Sequence, residues 1–188
     1  MTDFTLHTAE SAPGDAGEHL RMAEAGFGFA PNLLRIMADA PAVSGAYLML
    51  HEKFSSTSLT PMEQHVVLLS VSYENTCEYC MAAHTGGARK AGMDEATLGA
   101  LRSGAPLADP KLEALRTFTR HIVQERGFAS ESAIAAFLAV GYSRASILEV
   151  VLGVTMKTLS NYTNHVAKTP LDDELSPLAW TKSEAVTV

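Results

Sequence analysis

Apolar residues recur along the chain at intervals of three and four, and no alternating run is long enough to indicate a β-strand. This spacing predicts an all-α fold. Capping residues, glycines and prolines divide the pattern into helices over about residues 15–25, 31–39, 42–54, 61–73, 77–91, 94–102, 110–125, 130–141 and 143–167. In the last of these helices five apolar side chains fall on one side and predict its core face: Ile147, Val150, Val151, Val154 and Leu159.

The size of the chain predicts one domain. Its 188 residues are 47% hydrophobic and 19% charged, which is enough apolar material for a single core. We expect a flexible N-terminal tail over residues 1–14, a helical domain over residues 15–173 and a C-terminal tail over residues 174–188 that packs on the body or on a neighbouring subunit. The high apolar fraction also predicts a homo-oligomer, as a dimer or a trimer.

Charge narrows the set of partners. Acidic residues outnumber basic ones by 21 to 14, the net charge is −7, and no basic run occurs, so a nucleic acid partner is not expected. No apolar run approaches the roughly 20 residues that cross a bilayer, so no membrane partner is expected. The acidic N-terminal stretch does not resemble a secretory signal, which predicts a cytoplasmic protein.

Two capping patterns precede the most informative segment. Thr60, Pro61 and Glu63 form a capping box with proline at the first helical position, ahead of the apolar run HVVLLSV. Asn75 and Thr76 then interrupt that helix, and both are good N-caps for a new helix that begins at Cys77. Both cysteines of the chain would therefore lie in a first helical turn.

The segment CEYCMAAH carries the candidate chemistry. Cys77, Cys80 and His84 are spaced three and four residues apart, so on a helix they share one face. The helix N-terminus, the CxxC arrangement and a nearby histidine each favour the thiolate over the thiol. Because His84 lies four residues from Cys80 and seven from Cys77, we expect it to act mainly on Cys80.

A thiolate beside a second thiol is sufficient to reduce a hydroperoxide. The first sulfur is oxidised to sulfenic acid, the second condenses with it to a disulfide, and an external dithiol reductant restores both thiols. The sequence thus predicts a thiol-dependent enzyme without an organic cofactor or a metal.

The stretch LTPMEQHVVLLSVSYENTCEYCMAAH resembles the core motif of the alkylhydroperoxidase D and carboxymuconolactone decarboxylase family, and GFAPNLLRIMADAPAVSGAYLMLHEKF and NYTNHVAKTPLD resemble its peroxidase-related branch. The resemblance implies an oligomeric, alkylhydroperoxidase D-like helical fold. It also implies that Cys80 is the peroxidatic cysteine, Cys77 the resolving cysteine and His84 the proton relay. The family's relay includes a glutamate twelve residues before the first cysteine, where this chain has His65. Glu63 and Glu74 are the candidate substitutes.

Other interpretations remain open at this stage. Cys77, Cys80 and His84 would make a structural zinc site if a fourth ligand came from one of four other histidines, His51, His65, His121 or His165. A thioredoxin fold would need strands that the pattern lacks, and the cysteines would also fit inert packing. A lyase of the decarboxylase type would use acid–base residues instead of the thiols.

Several polar residues near the motif have two possible roles. Glu74 would be either a proton acceptor or a solvated charge that favours the helix dipole. Asn161, Asn164 and His165 lie on the last helix and are candidates to line the site. Gly86 and Gly87 fall inside the cysteine helix, where their small size predicts close helix packing.

Overall fold

The computed structural model describes residues 4–182, and these form nine α-helices and one 3₁₀ helix with no strand among them. The predicted all-α fold is confirmed. The helices are α1 (Ala16–Phe27), α2 (Asn32–Met37), α3 (Pro41–Ser55), α4 (Pro61–Glu74), α5 (Glu78–Lys90), α6 (Glu95–Ser103), α7 (Pro110–Gln124), α8 (Glu131–Ala139) and α9 (Arg144–Ala167), followed by a 3₁₀ helix (Asp173–Leu178).

The local capping signals place the helix boundaries well. Thr60 caps α4, and its hydroxyl accepts a hydrogen bond from the Glu63 amide while the Glu63 carboxylate accepts one from the Thr60 amide, as in a capping box. Ser130 and Ser143 cap α8 and α9. The first helix continues to Phe27, two residues beyond the predicted end, because Gly28 adopts φ 87° and terminates it there.

Helix α4 is the centre of the domain. It packs against α5, α6, α7 and α9, while α3 covers α9 and α8 covers α7. Val66, Val67, Leu69 and Val71 of α4 are completely buried. Because α4, α5 and α9 meet one another, a side chain on any of them can reach the same interior point.

The buried face of α9 agrees in part with the predicted one. Val150 is completely buried, and Ile147, Val154 and Leu159 pack partly buried against the core, whereas Val151 is 40% exposed. Beside these apolar residues and Met156, the inward face also carries small and polar residues, namely Ser146, Gly153, Lys157, Ser160, Asn161 and Asn164. The close approach of α3 explains the small residues, since a Cβ at Gly153 would lie 2.7 Å from the Phe54 ring.

Both predicted tails pack on the body where the structure describes them. Near the N-terminus, His7 Nε2 lies 2.7 Å from Asp39 Oδ1, and the Arg35 guanidinium donates to backbone carbonyls of the N-terminal segment. Near the C-terminus, Trp180 Nε1 donates to the Arg102 carbonyl at 2.7 Å. The predicted tails also include residues 1–3 and 183–188, which lie outside the described residues.

Across residues 4–182 no single helix combines the length and the hydropathy of a membrane span. Only the pair α8 and α9 meets that test together, and the two helices are bent by 112° relative to each other.

Candidate active site

The junction between α4 and α5 brings both cysteines to a helix start. Thr76 adopts φ 55°, which turns the chain sharply, and the Cys77 amide donates to the Ser72 carbonyl at 2.9 Å. Cys77 is the N-cap of α5 and Cys80 lies in its first turn. The position predicted for the two thiols is thus the one observed, with the helix beginning one residue later.

The two thiols are reduced and buried, each with 1% of its surface exposed. The Asn164 side-chain amide on α9 donates to both sulfurs, at 3.3 Å to Cys80 and 3.6 Å to Cys77. Ser160 Oγ lies 3.8 Å from Cys80 Sγ. Helix α9 therefore places polar side chains beside the sulfurs, with the Asn164 amide as a donor to both and the Ser160 hydroxyl as a partner of Cys80.

Lys157 lies on the same helix as Ser160 and Asn164 and is completely buried. Its Nζ donates to His84 Nε2 at 2.8 Å and lies close enough to Cys80 for the ammonium charge to act on that sulfur. No carboxylate lies within 4.0 Å of this ammonium in the described part of the chain, so it has no acidic side chain as an ion-pair partner.

Three partly exposed histidines surround the lysine on the outer side. The His65 and His84 rings lie 5.9 Å apart between centroids, and His51 is near enough to affect both. The His65 ring rests on Gly87, where a Cβ would lie 2.4 Å from His65 Cε1. The close packing predicted at Gly86 and Gly87 is thus, at Gly87, a contact between α5 and the His65 ring.

The two thiols differ in acidity. Burial acts to raise the pKa of Cys80, but a hydrogen bond from Cys77 and the Lys157 charge outweigh it, so the pKa lies well below its ordinary value. The interaction with Cys80 raises the pKa of Cys77, and burial raises it further. Burial acts to lower the pKa of Lys157, yet the neighbouring Cys80 charge raises it. Cys80 is therefore the thiolate of the pair.

The three histidines at the site, His51, His65 and His84, are neutral at pH 7. Burial lowers the pKa of His65 to about 4, with further lowering by His51 and Lys157. Burial and the Lys157 charge also hold the pKa of His84 well below its ordinary value and lower that of His51. An imidazole that stays neutral accepts a hydrogen bond from Lys157 without competing with it for a proton.

Four of the five predicted site residues meet here: Cys77, Cys80, His84 and His65. The hydrogen bond of His84 differs from the prediction, because it joins the imidazole to Lys157 and not to Cys80. Glu74 lies elsewhere, in an ion pair with Arg120 and a 2.8 Å hydrogen bond from Gln124. Glu63 is also occupied, by its capping box and by Tyr142 at 3.0 Å.

Lys157 and Ser160 were missed, whereas Asn161 and Asn164 were candidates and both lie on the buried face of α9. The available signal was the register of Lys157, which follows Gly153 by four residues and precedes Asn164 by seven. His165 is exposed and stacks near Tyr162 with 6.3 Å between ring centroids.

The candidate zinc ligands Cys77, Cys80, His84 and His65 lie near one another, but they are not arranged as a metal site. Residues 4–182 contain no group of three or more His, Cys, Asp and Glu side chains arranged to hold a metal ion. His121, one of the candidate fourth ligands, accepts a hydrogen bond from the Ser130 amide at 3.3 Å on the far side of α7.

Residues 42–121 match the sequence profile of the carboxymuconolactone decarboxylase family. This segment belongs to the carboxymuconolactone decarboxylase family. It includes α4, both cysteines and His84, which are the residues that carried the resemblance, and the predicted family is thereby confirmed. No curated protein sequence matches the chain significantly.

Solved structures share the fold over nearly the whole chain. A peroxidase-related protein from Ralstonia eutropha JMP134, described as an alkylhydroperoxidase AhpD core, is 19% identical with a TM-score of 0.82 and covers 92% of this chain and 93% of its own. A peroxidase-related protein from Silicibacter sp. TM1040 is 18% identical, with a TM-score of 0.77 and coverages of 90% and 91%. The debrominase Bmp8 is 15% identical, with a TM-score of 0.79 and coverages of 95% and 96%.

These similarities establish an alkylhydroperoxidase D-like helical fold for this chain. At such low identity the fold alone is shared, since one fold supports several chemistries. The activity must therefore be argued from the thiols and their surroundings.

Proposed function

We propose that this protein is a thiol-dependent peroxidase, a thiol-disulfide oxidoreductase in which Cys80 attacks a hydroperoxide and Cys77 resolves the product. The observation that carries the proposal is the difference between the two neighbouring thiols. The pKa of Cys80 lies below its ordinary value and the pKa of Cys77 lies above it. A nucleophile and a reserve thiol are the two components that the reaction needs.

In the first step the Cys80 thiolate attacks the terminal oxygen of the hydroperoxide. A bond forms between Cys80 Sγ and that oxygen, the O–O bond breaks, and the alkoxide leaves and takes up a proton. Cys80 becomes a sulfenic acid and the peroxide is reduced to an alcohol. Burial of Cys80 restricts the attack to substrates with a slender reacting end, such as an O–O group.

In the second step Cys77 becomes reactive because the first step has removed the interaction that raised its pKa. The interaction with Cys80 is the largest cause of the raised pKa of Cys77, and a neutral sulfenic acid no longer exerts it. Cys77 then attacks Cys80 Sγ, the hydroxyl group leaves as water after protonation, and a disulfide forms. An external dithiol reduces this disulfide in two exchange steps. We place the enzyme in the cytoplasm, where such reductants keep thiols reduced.

The alternatives have less support from the site. A lyase would need an acid–base carboxylate near the substrate, but Glu63 and Glu74 are both bound in contacts away from the thiols. The debrominase Bmp8 has been solved with 2,3,4-tribromopyrrole, so halogenated pyrroles form a second substrate class to be tested on the same thiols. Reduction of a carbon–bromine bond would also convert the pair to a disulfide.

The test is a single-turnover reaction of the reduced protein with excess cumene hydroperoxide, without added reductant. We expect two thiols lost per chain, one peroxide consumed and an intramolecular Cys77–Cys80 disulfide found by peptide mass spectrometry. Tribromopyrrole in place of the hydroperoxide is the parallel arm. Loss of thiols with the halide alone would assign the site to dehalogenation, and no loss with either would refute a thiol-based reduction.

Single cysteine variants separate the two roles. Cys80→Ser should abolish hydroperoxide consumption, because the retained thiol has the raised pKa. Cys77→Ser should consume one equivalent and stop at a sulfenic acid on Cys80 that dimedone traps. A dimedone adduct on Cys77 in the Cys80→Ser protein, formed at the wild-type rate, would reverse the assignment.

A further inference from the structure

Lys157 is a completely buried lysine without a carboxylate partner, so another group must compensate the charge of its ammonium group. Lys157 is 0% exposed, and the described residues place no Asp or Glu side chain within ion-pair distance of it. A buried ammonium group is stable only beside a compensating anion, and otherwise it releases its proton. Among residues 4–182, the side chain near Lys157 that can supply a negative charge at neutral pH and that takes part in the proposed reaction is Cys80.

We propose that Lys157 is a catalytic residue, whose ammonium group holds Cys80 as a thiolate and protonates the leaving alkoxide. His84 is then a positioning residue that fixes the ammonium group by accepting its hydrogen bond at 2.8 Å. The stabilisation of the thiolate is independent of the substrate. The protonation step rests on the function proposed above.

The groups around Lys157 on three of the helices packed against α9 support this assignment. Helix α3 contributes Tyr47 and His51, α4 contributes His65, and α5 contributes Cys77, Cys80 and His84. The histidines stay neutral, as shown above, and burial raises the pKa of Tyr47 so that it keeps its proton. No other neighbour competes with Cys80 for the lysine charge.

Donors on the remaining side of the sulfur act in the same direction. The Asn164 amide donates to Cys80 Sγ at 3.3 Å, and Asn164 is 5% exposed. A thiolate accepts hydrogen bonds better than a thiol, so this contact favours the charged form. Lys157 provides a full positive charge near Cys80 Sγ, and the Asn164 amide provides a dipole. The neutral His84 provides neither.

The proton balance closes without a buried excess charge. At the start the site holds one thiolate, one ammonium and the Cys77 thiol. Lys157 gives its proton to the alkoxide when Cys80 becomes a neutral sulfenic acid, and the resulting amine accepts the proton of Cys77. That proton leaves with the hydroxide as water when the disulfide forms. The site therefore ends neutral, with Lys157 as an amine, and reduction of the disulfide by the external dithiol returns two protons, one to Cys77 and one to Lys157, so that Cys80 is again the thiolate.

The experiment measures Cys80 alkylation by iodoacetamide between pH 5 and pH 10, with thiolate absorbance at 240 nm as a second readout. Neither readout requires a peroxide. In the wild type we expect an alkylation rate that stays constant from pH 10 to below pH 7. Lys157→Met has a similar volume and no charge, and it should move the midpoint to about 8.5 or higher, the value of a free thiol, with an at least tenfold slower reaction at pH 7.

Two further variants refine the result. Lys90→Met removes an exposed lysine from the same helix as the cysteines and should leave the profile unchanged. Lys157→Arg retains a charge that does not leave at neutral pH, so it should keep rapid alkylation while slowing hydroperoxide reduction. Far-ultraviolet circular dichroism and thermal unfolding verify that each variant folds, and Lys157→Gln replaces Lys157→Met if that protein does not.

The outcomes distinguish this inference from the proposed function. A wild-type profile in folded Lys157→Met or Lys157→Gln overturns the role of Lys157, whether or not the protein reduces peroxides. A shifted profile in a protein that consumes no hydroperoxide supports Lys157 and refutes the peroxidase. A larger shift in His84→Gln than in Lys157→Met would return the thiolate-forming role to His84 and overturn the inference.

Discussion

Helix α4 contributes carboxylates at both ends and none in the region that faces the thiols. At its start Glu63 closes a capping box and accepts from Tyr142 at 3.0 Å, and at its end Glu74 pairs with Arg120. Between them His65 faces His84 and Gly87. One helix thus supports two kinds of electrostatic region, one that holds the fold together and one that surrounds the sulfurs.

The difference lies in what compensates the charge. Each carboxylate of α4 has a cation and further donors around it, so its charge is stabilised by permanent partners and contributes to folding. At the thiols, in the mechanism proposed above, the cation Lys157 is paired with the Cys80 thiolate, and its charge balance changes when Cys80 is oxidised. A carboxylate placed in this region would give Lys157 a permanent partner and leave the sulfur without one.

His65→Glu is the strongest way to disturb this separation. It introduces the residue type that the resembling family has at this position, next to Lys157 and His84. Because the new anion would compete with Cys80 for the lysine and repel the thiolate, we expect the pKa of Cys80 to rise by about one unit, which makes alkylation about tenfold slower at pH values below the wild-type midpoint. The measurement is the iodoacetamide profile described above.

His65→Gln is the matched control, since it removes the imidazole without adding a charge, and its profile should stay close to that of the wild type. Faster alkylation of Cys80 in His65→Glu would mean that a carboxylate relay activates the thiol. The separation of the α4 carboxylates from the thiols would then have no role in the reactivity of Cys80.

Local sequence signals predicted most of the fold. Thr60, Ser130 and Ser143 fixed helix starts, and the CxxC spacing placed both cysteines on one turn, because these features act over three or four residues. The interaction of Lys157 with His84 spans 73 positions, so no local pattern specifies it. The neutral state of His84 depends on burial and on that lysine, which explains why the predicted hydrogen bond to Cys80 was replaced.

The one error in the predicted core face of α9 has a related reason. Apolar periodicity assigns Val151 to the interior, but Val151 is 40% exposed, while the polar residues Lys157 and Asn164 are buried near the sulfurs. Hydrophobicity predicts burial only where no chemistry competes for the buried positions. The predicted homo-oligomer stays a prediction, as does the external dithiol.

Glu63→Gln should weaken the structural region and leave the thiols unaffected. Burial acts to raise the pKa of Glu63, but hydrogen bonds from Thr60, Lys111 and Tyr142 lower it below its ordinary value. A carboxylate with a depressed pKa stabilises the fold above the pKa it has when unfolded, about 4.3, and this contribution is lost as the pH falls through the folded-state pKa. We therefore expect Glu63→Gln to cost about 1–2 kcal/mol of unfolding free energy at pH 7.

Urea unfolding at pH 7 and at about pH 3 measures this difference, which should shrink at the lower pH because the carboxylate of the unfolded chain is then protonated and the folded protein loses the advantage of its lowered pKa. Glu95→Gln is the control, because its ion pair with Arg89 is exposed and screened by solvent and should contribute little to stability. A change in Cys80 alkylation in Glu63→Gln would show that the two regions of α4 are coupled.

Gly87→Ala is expected to have the smallest effect, and it tests whether the His65 ring has a steric or an electrostatic role. The added Cβ would lie 2.4 Å from His65 Cε1, so the ring must move. We expect a loss of about 1 kcal/mol in unfolding free energy from this overpacking. Gly99→Ala in α6 is the matched control, because nothing lies within 4 Å of its Cβ and the substitution should stabilise the helix by about 0.5–1 kcal/mol. Because His65 is neutral, its displacement should leave the Cys80 alkylation profile within about twofold of the wild type. A larger change with unchanged stability would mean that the position of the imidazole, and not only its lack of charge, determines the reactivity of Cys80.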